Sequence, residues 1–214
     1  MPQDLLNSAD QPVDIPLTNG QLLYWPGWLK NHLNLFETLI GELPWEQPKI
    51  RIAGKAVAIP RLQVWMGDPN ARMQYSGVSF TPLIWHPEIW AVKTKIEKLT
   101  HSSFNSVLVN LYRTGGDSVG WHSDNEKELG CNPVIASLSL GASRRFGLKP
   151  ISSSDRPIYL PLGHGDLLVM SAETQQHWQH SIPKKTSSEL KLEEHSSHFE
   201  KARINLTFRR IVGK

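Results

Sequence analysis

His122-Ser123-Asp124 sets an imidazole and a carboxylate two residues apart, on one side of an extended segment. Neutral imidazole and carboxylate together suit a divalent transition metal. Two histidines and one carboxylate with open positions form the non-haem Fe(II) oxygenase face. A lone H-x-D arises by chance in many chains, so a third ligand is required. Downstream lie His164, His177, His180, His195 and His198. His195 and His198 fall in a polar run and read as solvated, and His164 in Gly163-His164-Gly165-Asp166 reads as a turn residue. His177 and His180 flank Trp178 just after a strand, and spacing alone leaves the choice between them open.

A second chemical signal is Arg203-Ile204-Asn205-Leu206-Thr207-Phe208-Arg209, where polar and apolar residues alternate strictly. Side chains of a strand alternate faces, so Arg203, Asn205, Thr207 and Arg209 share one side. Taken alone, that side fits the wet face of an edge strand. The other reading is a pocket whose two guanidinium groups meet an anion, because the guanidinium fork matches a carboxylate.

Positioning these groups takes a strand-rich scaffold. Segments 107–112, 119–122, 134–140, 145–148, 158–162, 166–170 and 202–211 are short and β-rich, separated by Gly115-Gly116, Gly141, Gly163 and Gly165. Strands so spaced predict a sandwich or barrel. Ahead of them, apolar residues at helical spacing predict a helix over 29–40, and a second begins near Pro87. Residues 49–80 read as short strands and hairpins, 1–20 as a loose tail, and 183–201 as a polar surface loop. The organisation expected is a tail (1–20), a segment of helices and a lid (21–103) and a core (104–214), integrated as one domain.

With 214 residues, 39% hydrophobic and 20% charged, the chain can build a core and is too apolar to be disordered. Its one cysteine, Cys131, makes no internal disulfide and no thiolate metal site alone. No basic-then-apolar leader opens the sequence, and no window approaches the ~18 apolar residues of a membrane span. The expectation is a soluble, cytoplasmic, monomeric protein without membrane partners. A net charge of +3 is ordinary and does not by itself argue for nucleic acid.

Six motifs in this order carry a family resemblance: Asn110-Leu111-Tyr112, His122-Ser123-Asp124-Asn125-Glu126, Ser137-Leu138-Ser139-Leu140-Gly141, Leu162-Gly163-His164-Gly165-Asp166-Leu167, His177-Trp178-Gln179-His180-Ser181 and the 203–209 strand. The chain resembles the AlkB family of Fe(II)- and 2-oxoglutarate-dependent dioxygenases, from about Ile59 to Ile211. The resemblance implies an α+β fold: a double-stranded β-helix (jelly roll) core, flanking helices and an N-terminal nucleotide-recognition lid. It implies His122, Asp124 and His180 as catalytic iron ligands, with Asn110, Tyr112, Arg203, Asn205 and Arg209 binding 2-oxoglutarate and O2 as co-substrate. It would turn the polar face of the last strand into the barrel.

The activity implied is oxidative demethylation of N-alkylated bases in DNA, of the 1-methyladenine or 3-methylcytosine type, releasing succinate, CO2 and formaldehyde. Glu126 matches a carboxylate near the damaged base, and Tyr75, in a lid-like Gln74-Tyr75-Ser76-Gly77, could pack on the base opposite His122. Each has a plainer role, a surface turn for Glu126 and lid core for Tyr75. Ala53 stands where duplex-acting relatives carry an aromatic finger, which favours single-stranded DNA. Arg51, Lys55, Arg61 and Arg72 could track phosphates. The alternatives are a dioxygenase of methylated RNA or protein, and a catalytically silent single-strand-binding jelly roll.

Overall fold

The computed structural model describes residues 11–29, 33–52, 54–75, 78–152, 155–192 and 196–212. Two short strands, β1 (Val13–Ile15) and β2 (Gln21–Trp25), precede helix α1 (Leu33–Glu42). Hairpin strands β3 (Lys49–Ile52) and β4 (Lys55–Ala58) lead to β5 (Leu62–Gly67) and a second hairpin, β6 (Met73–Tyr75) and β7 (Val78–Phe80). After α2 (Pro87–Thr100) come β8 (Ser106–Tyr112), β9 (Val119–His122), β10 (Ile135–Gly141), β11 (Arg144–Pro150), β12 (Ile158–Leu162) and β13 (Leu167–Ser171). The chain closes with α3 (Thr174–His177), β14 (Trp178–Ile182), α4 (Ser187–Leu192), α5 (His198–Lys201) and β15 (Arg203–Arg209).

The strands form a seven-stranded sheet, β1-β2-β13-β10-β15-β8-β5, and a four-stranded sheet, β12-β11-β14-β9. Pairing within both is antiparallel. Strict alternation separates two cores. On β15, Ile204, Leu206 and Phe208 point outward with Val107, Val109 and Leu111 of β8, meeting Phe36 and Leu39 of α1 and Ile89, Val92 and Ile96 of α2. On the other face, Ile135 and Met170 of the large sheet meet Phe146, Leu148 and Ile182 of the small one. The result is the jelly roll that the resemblance implied, with its helices outside.

Helix α2 shows how local sequence sets an element. Pro87 takes the first turn, where no backbone N–H is needed, and the His86 ring caps the end by accepting from the Glu88 N–H. The helix stops at His101, whose φ of 50° leaves the helical region. Between sheets, Gly141 has φ +83° and a Cβ there would lie 2.4 Å from the Ala202 carbonyl oxygen. That position admits only glycine.

Three expectations need correction. Residues 13–15, within the expected loose tail, pair with β2 and extend the large sheet, because Ile15 and the apolar Leu22 and Trp25 bring the hairpin onto β13. The polar 183–201 stretch holds α4 and α5, the latter closed by a capping box of Ser197 and Glu200. The core does not begin at residue 104, since β2 and β5, within 21–103, are strands of the large sheet. Ala53 and residues 1–10 lie outside the described residues, as does the Tyr75 side chain.

Candidate metal centre and anion pocket

On the small sheet, β9 and β14 run antiparallel with His122 directly opposite His180. Opposed residues share a face, so both imidazoles turn inward, their ring centroids 4.2 Å apart. Asp124 follows two residues beyond His122, and its backbone N–H donates to Gln175 Oε1 at 2.8 Å, which fixes the loop. His122 Nε2 lies 3.9 Å from one Asp124 oxygen and His180 Nε2 3.9 Å from the other. These are too long for hydrogen bonds, yet the three ligand atoms all lie within 4.8 Å of one another, as donors to a shared cation do. His177 stays out of this cluster. It ends α3 and pairs with Glu173 at 3.4 Å, so the tertiary structure decides the choice that spacing left open.

The protonation states suit a metal. Burial drives His180 from 6.5 down to about 4, against the pull of Asp124, so its ring is neutral near pH 7. Burial opposes ionisation of Asp124, but Arg209 beside it, helped by His180 and His122, outweighs that and holds the carboxyl below the usual range. His122 Nδ1 sits 2.9 Å from the Gly120 carbonyl oxygen; donating there, it leaves the Nε2 lone pair facing Asp124.

The inward face of β15 supplies the rest. Arg203, 1% exposed, donates from Nη2 to Ser139 Oγ at 2.8 Å, and its guanidinium lies 5.4 Å from the Tyr112 ring centroid. Its Nε and Nη1 are buried with no partner among the described residues. Burial lowers its pKa to about 10, with Tyr112 opposing, and lifts the Tyr112 phenol. Arg209 Nη2 donates to both Asp124 oxygens at 2.9 Å, and its Nε has no partner among the described residues. Asn205 Nδ2 is used within the sheet, by Ser137 Oγ and the Leu138 carbonyl. Asn110 Oδ1 accepts from Arg61 Nε at 3.0 Å. Arg61, Asn110, Tyr112, Arg203, Asn205 and Arg209 line one pocket of about 490 Å3, its open mouth included, together with His122, Asp124 and His180.

Arg61, one of four basic residues that could track phosphate, lines this pocket, where it bonds Asn110 and the Ser118 carbonyl oxygen. Sequence reasoning gave no role to Gln175, Ser137, Ser139 or Thr207, whose hydroxyl donates to Asn205 Oδ1. The one available signal was that the serines alternate with leucines in 137–140 as the polar residues do in β15. His164 has the turn role expected, accepting from the Gly141 N–H with Nδ1. Glu126, half-buried, heads the turn after Asp124, and its Oε2 is buried with no partner among the described residues.

A family model described as the 2OG-Fe(II) oxygenase superfamily matches residues 12–209. The alpha-ketoglutarate-dependent dioxygenase alkB homolog 3 of Homo sapiens is 34% identical over 232 residues, covering 98% of this chain and 77% of the relative. The chain belongs to the AlkB family of this superfamily. The Bos taurus alkB homolog 3 is 40% identical over 197 residues, covering 87% of this chain and 64% of its own. DNA oxidative demethylase ALKBH2 of Mus musculus is 36% identical over 171 residues, covering 77% and 67%. The AlkB-family chain thus spans about two thirds of these curated relatives. Among solved structures, OsALKBH1 superposes with a TM-score of 0.63 at 19% identity, covering 92% of this chain and 100% of that one, a likeness of fold.

An AlkB-family site needs places for Fe(II) and 2-oxoglutarate, and this one fits both. His122, Asp124 and His180 can hold the iron, their ligand atoms converging, with the His180 ring neutral and the Asp124 carboxylate ionised as ligation requires. Two buried guanidinium N–H groups of Arg203 call for an anion, and the Tyr112 hydroxyl stands beside them. No described helix is long and apolar enough to cross a membrane.

Proposed function

We propose that the chain oxidatively demethylates N-alkylated bases in DNA, of the 1-methyladenine and 3-methylcytosine type. The observation that carries this reading is the junction, in one pocket, of a two-histidine, one-carboxylate cluster with the buried Arg203 guanidinium, whose Nε and Nη1 have no partner among the described residues. Iron(II) with 2-oxoglutarate and O2 supplies the oxidation, one oxygen atom leaving in succinate alongside CO2 and the other reaching the N-methyl carbon, which departs as formaldehyde. The protein's own residues do the positioning. Arg203 and Tyr112 bind the distal carboxylate of the keto acid, and Asn110, braced by Arg61, and Arg209 orient the rest. Between the sheets, Phe146, Ile182 and Met170 exclude water, which strengthens every charge contact.

Substrate selection falls to Glu126, Tyr75 and His122. The open oxygen of Glu126 can accept from an exocyclic amino group of a cationic base. The half-exposed His122 ring offers a face for a base turned out of its stack, and Tyr75, by its place in the lid-like sequence, would be the partner opposite. Ala53, in the sequence position where duplex-acting relatives carry an aromatic finger, favours a single strand, since a methyl group fills no gap in a duplex.

The test is release of formaldehyde and succinate from Fe(II)-loaded protein across methylated DNA, RNA and peptide, single-stranded and duplex. Turnover of methylated single-stranded DNA is expected. Turnover of RNA or peptide alone moves the substrate, and nucleic-acid binding without turnover makes the chain a silent module.

A further inference from the structure

The outer face of the four-stranded sheet carries rings and cations that the oxidation does not use. Because β11 buries Arg144, Phe146 and Leu148, its alternate residues Arg145, Gly147 and Lys149 face outward. Gly147 lies opposite Tyr159 on one side and Ser181 on the other. On β9, Trp121 precedes the inward-facing His122 and therefore points outward too. A Cβ placed on Gly147 would lie 2.8 Å from Trp121 Cη2, 2.9 Å from Ser181 Oγ and 3.0 Å from Tyr159 Cε1. The two rings thus reach from both edge strands, β12 and β9, toward a floor with no side chain. Each carries a cation: Lys149 Nζ is 5.0 Å from the Trp121 ring centroid, and Arg145 Cζ is 5.8 Å from that of Tyr159.

We propose that this face is a stacking platform for the single strand flanking the alkylated base, with bases on Tyr159 and Trp121 and phosphates on Arg145 and Lys149. The inference rests on the nucleic-acid reading above and adds a site to it. An exposed Tyr159 ring and a half-buried Trp121 ring, each beside a cation on a small-residue floor, suit a single strand: every base has a face that stacks, and every linkage carries a negative charge. Tyr159 is 46% exposed, more than a ring kept for packing. Besides the Tyr159 ring, Arg145 has a 3.9 Å ion-pair contact to the half-exposed Glu189, which a phosphate can replace at little cost. Trp121 is the immediate chain neighbour of His122, which lines the pocket, so the platform and the pocket share strand β9.

The test uses the full Fe(II)-loaded chain, fluorescence anisotropy with labelled unmethylated dT15, and turnover of a methylated 15-mer against a methylated trinucleotide. Tyr159→Ala and Lys149→Ala should each weaken dT15 binding and raise KM for the 15-mer by about five- to tenfold, with the trinucleotide changed by no more than about twofold. Tyr159→Phe, which keeps a stacking face, should restore wild-type binding. Unchanged 15-mer binding in a Tyr159→Ala protein of normal thermal midpoint overturns the platform, as do equal losses on both substrates. A wild-type protein that oxidises a methylated peptide yet binds no oligonucleotide overturns the nucleic-acid reading itself.

Discussion

A single nitrogen of Arg209, Nη2, donates to both carboxylate oxygens of Asp124 at 2.9 Å, although the two residues stand 85 positions apart. Both are buried, Asp124 at 2% exposure and Arg209 at 9%. The cation keeps the carboxylate ionised before any metal arrives, and the carboxylate keeps a buried guanidinium paired.

This pairing separates two ligand substitutions that would otherwise look alike. His122→Ala should abolish Mn(II) binding and turnover while leaving the thermal midpoint nearly unchanged, since His122 is part-exposed. Asp124→Ala should abolish both and also destabilise by about 3–5 kcal/mol, because it leaves Arg209 buried and unpaired. Full activity in either variant would refute the ligand assignment. Equal midpoints in the two would refute the pairing argument.

Arg203 trades stability for binding. Its buried charge has open N–H groups, so Arg203→Met should keep or raise the thermal midpoint. The same variant should raise KM for 2-oxoglutarate by about a hundredfold or more, the loss expected of a charge-assisted fork. Arg203→Lys keeps charge without the fork and should fall between. A Met variant with normal 2-oxoglutarate affinity would remove Arg203 from the cofactor site.

Acid should loosen the metal-free protein through His180. Its folded pKa is about 4 against 6.5 for an unperturbed ring. Between those values the unfolded chain binds more protons than the folded one, so stability is fully present above pH 6.5 and declines as pH falls toward 4. Asp124 and Asp117, both held below the ordinary carboxylate range, extend the loss to lower pH. Urea midpoints at pH 7.5, 5.5 and 4.5 should fall in that order. His180→Gln should flatten the upper part of the curve, and an unaltered slope would show that the ring is not buried neutral.

Gly141→Ala tests the sheet core apart from the chemistry. At φ +83° the new methyl would meet the Ala202 carbonyl and the Phe36 ring, at 2.4 and 2.6 Å. A destabilisation of about 2 kcal/mol or more is expected, with Mn(II) affinity of the folded fraction intact. A neutral effect would mean that strand β10 can shift freely there.

Local sequence determined the alternation in 203–209, the pairing of His122 with Asp124, the start of α2 at Pro87 and most strands from 106 onward. Each follows from period or turn chemistry confined to a few neighbouring residues. Alternation fixes that Arg203, Asn205, Thr207 and Arg209 share a side; it cannot say which side a second sheet will cover. Only the tertiary structure turned that side inward, buried all four, and faced Ile204, Leu206 and Phe208 to the helices. It also chose His180 over His177, by setting His180 opposite His122 across two antiparallel strands. It drew Arg61 into the pocket, and it buried Arg144 among the carbonyls of Thr114, Asp117 and Pro183. The partners in each case are distant along the chain, and a burial decided by such partners leaves no periodic trace in the local sequence.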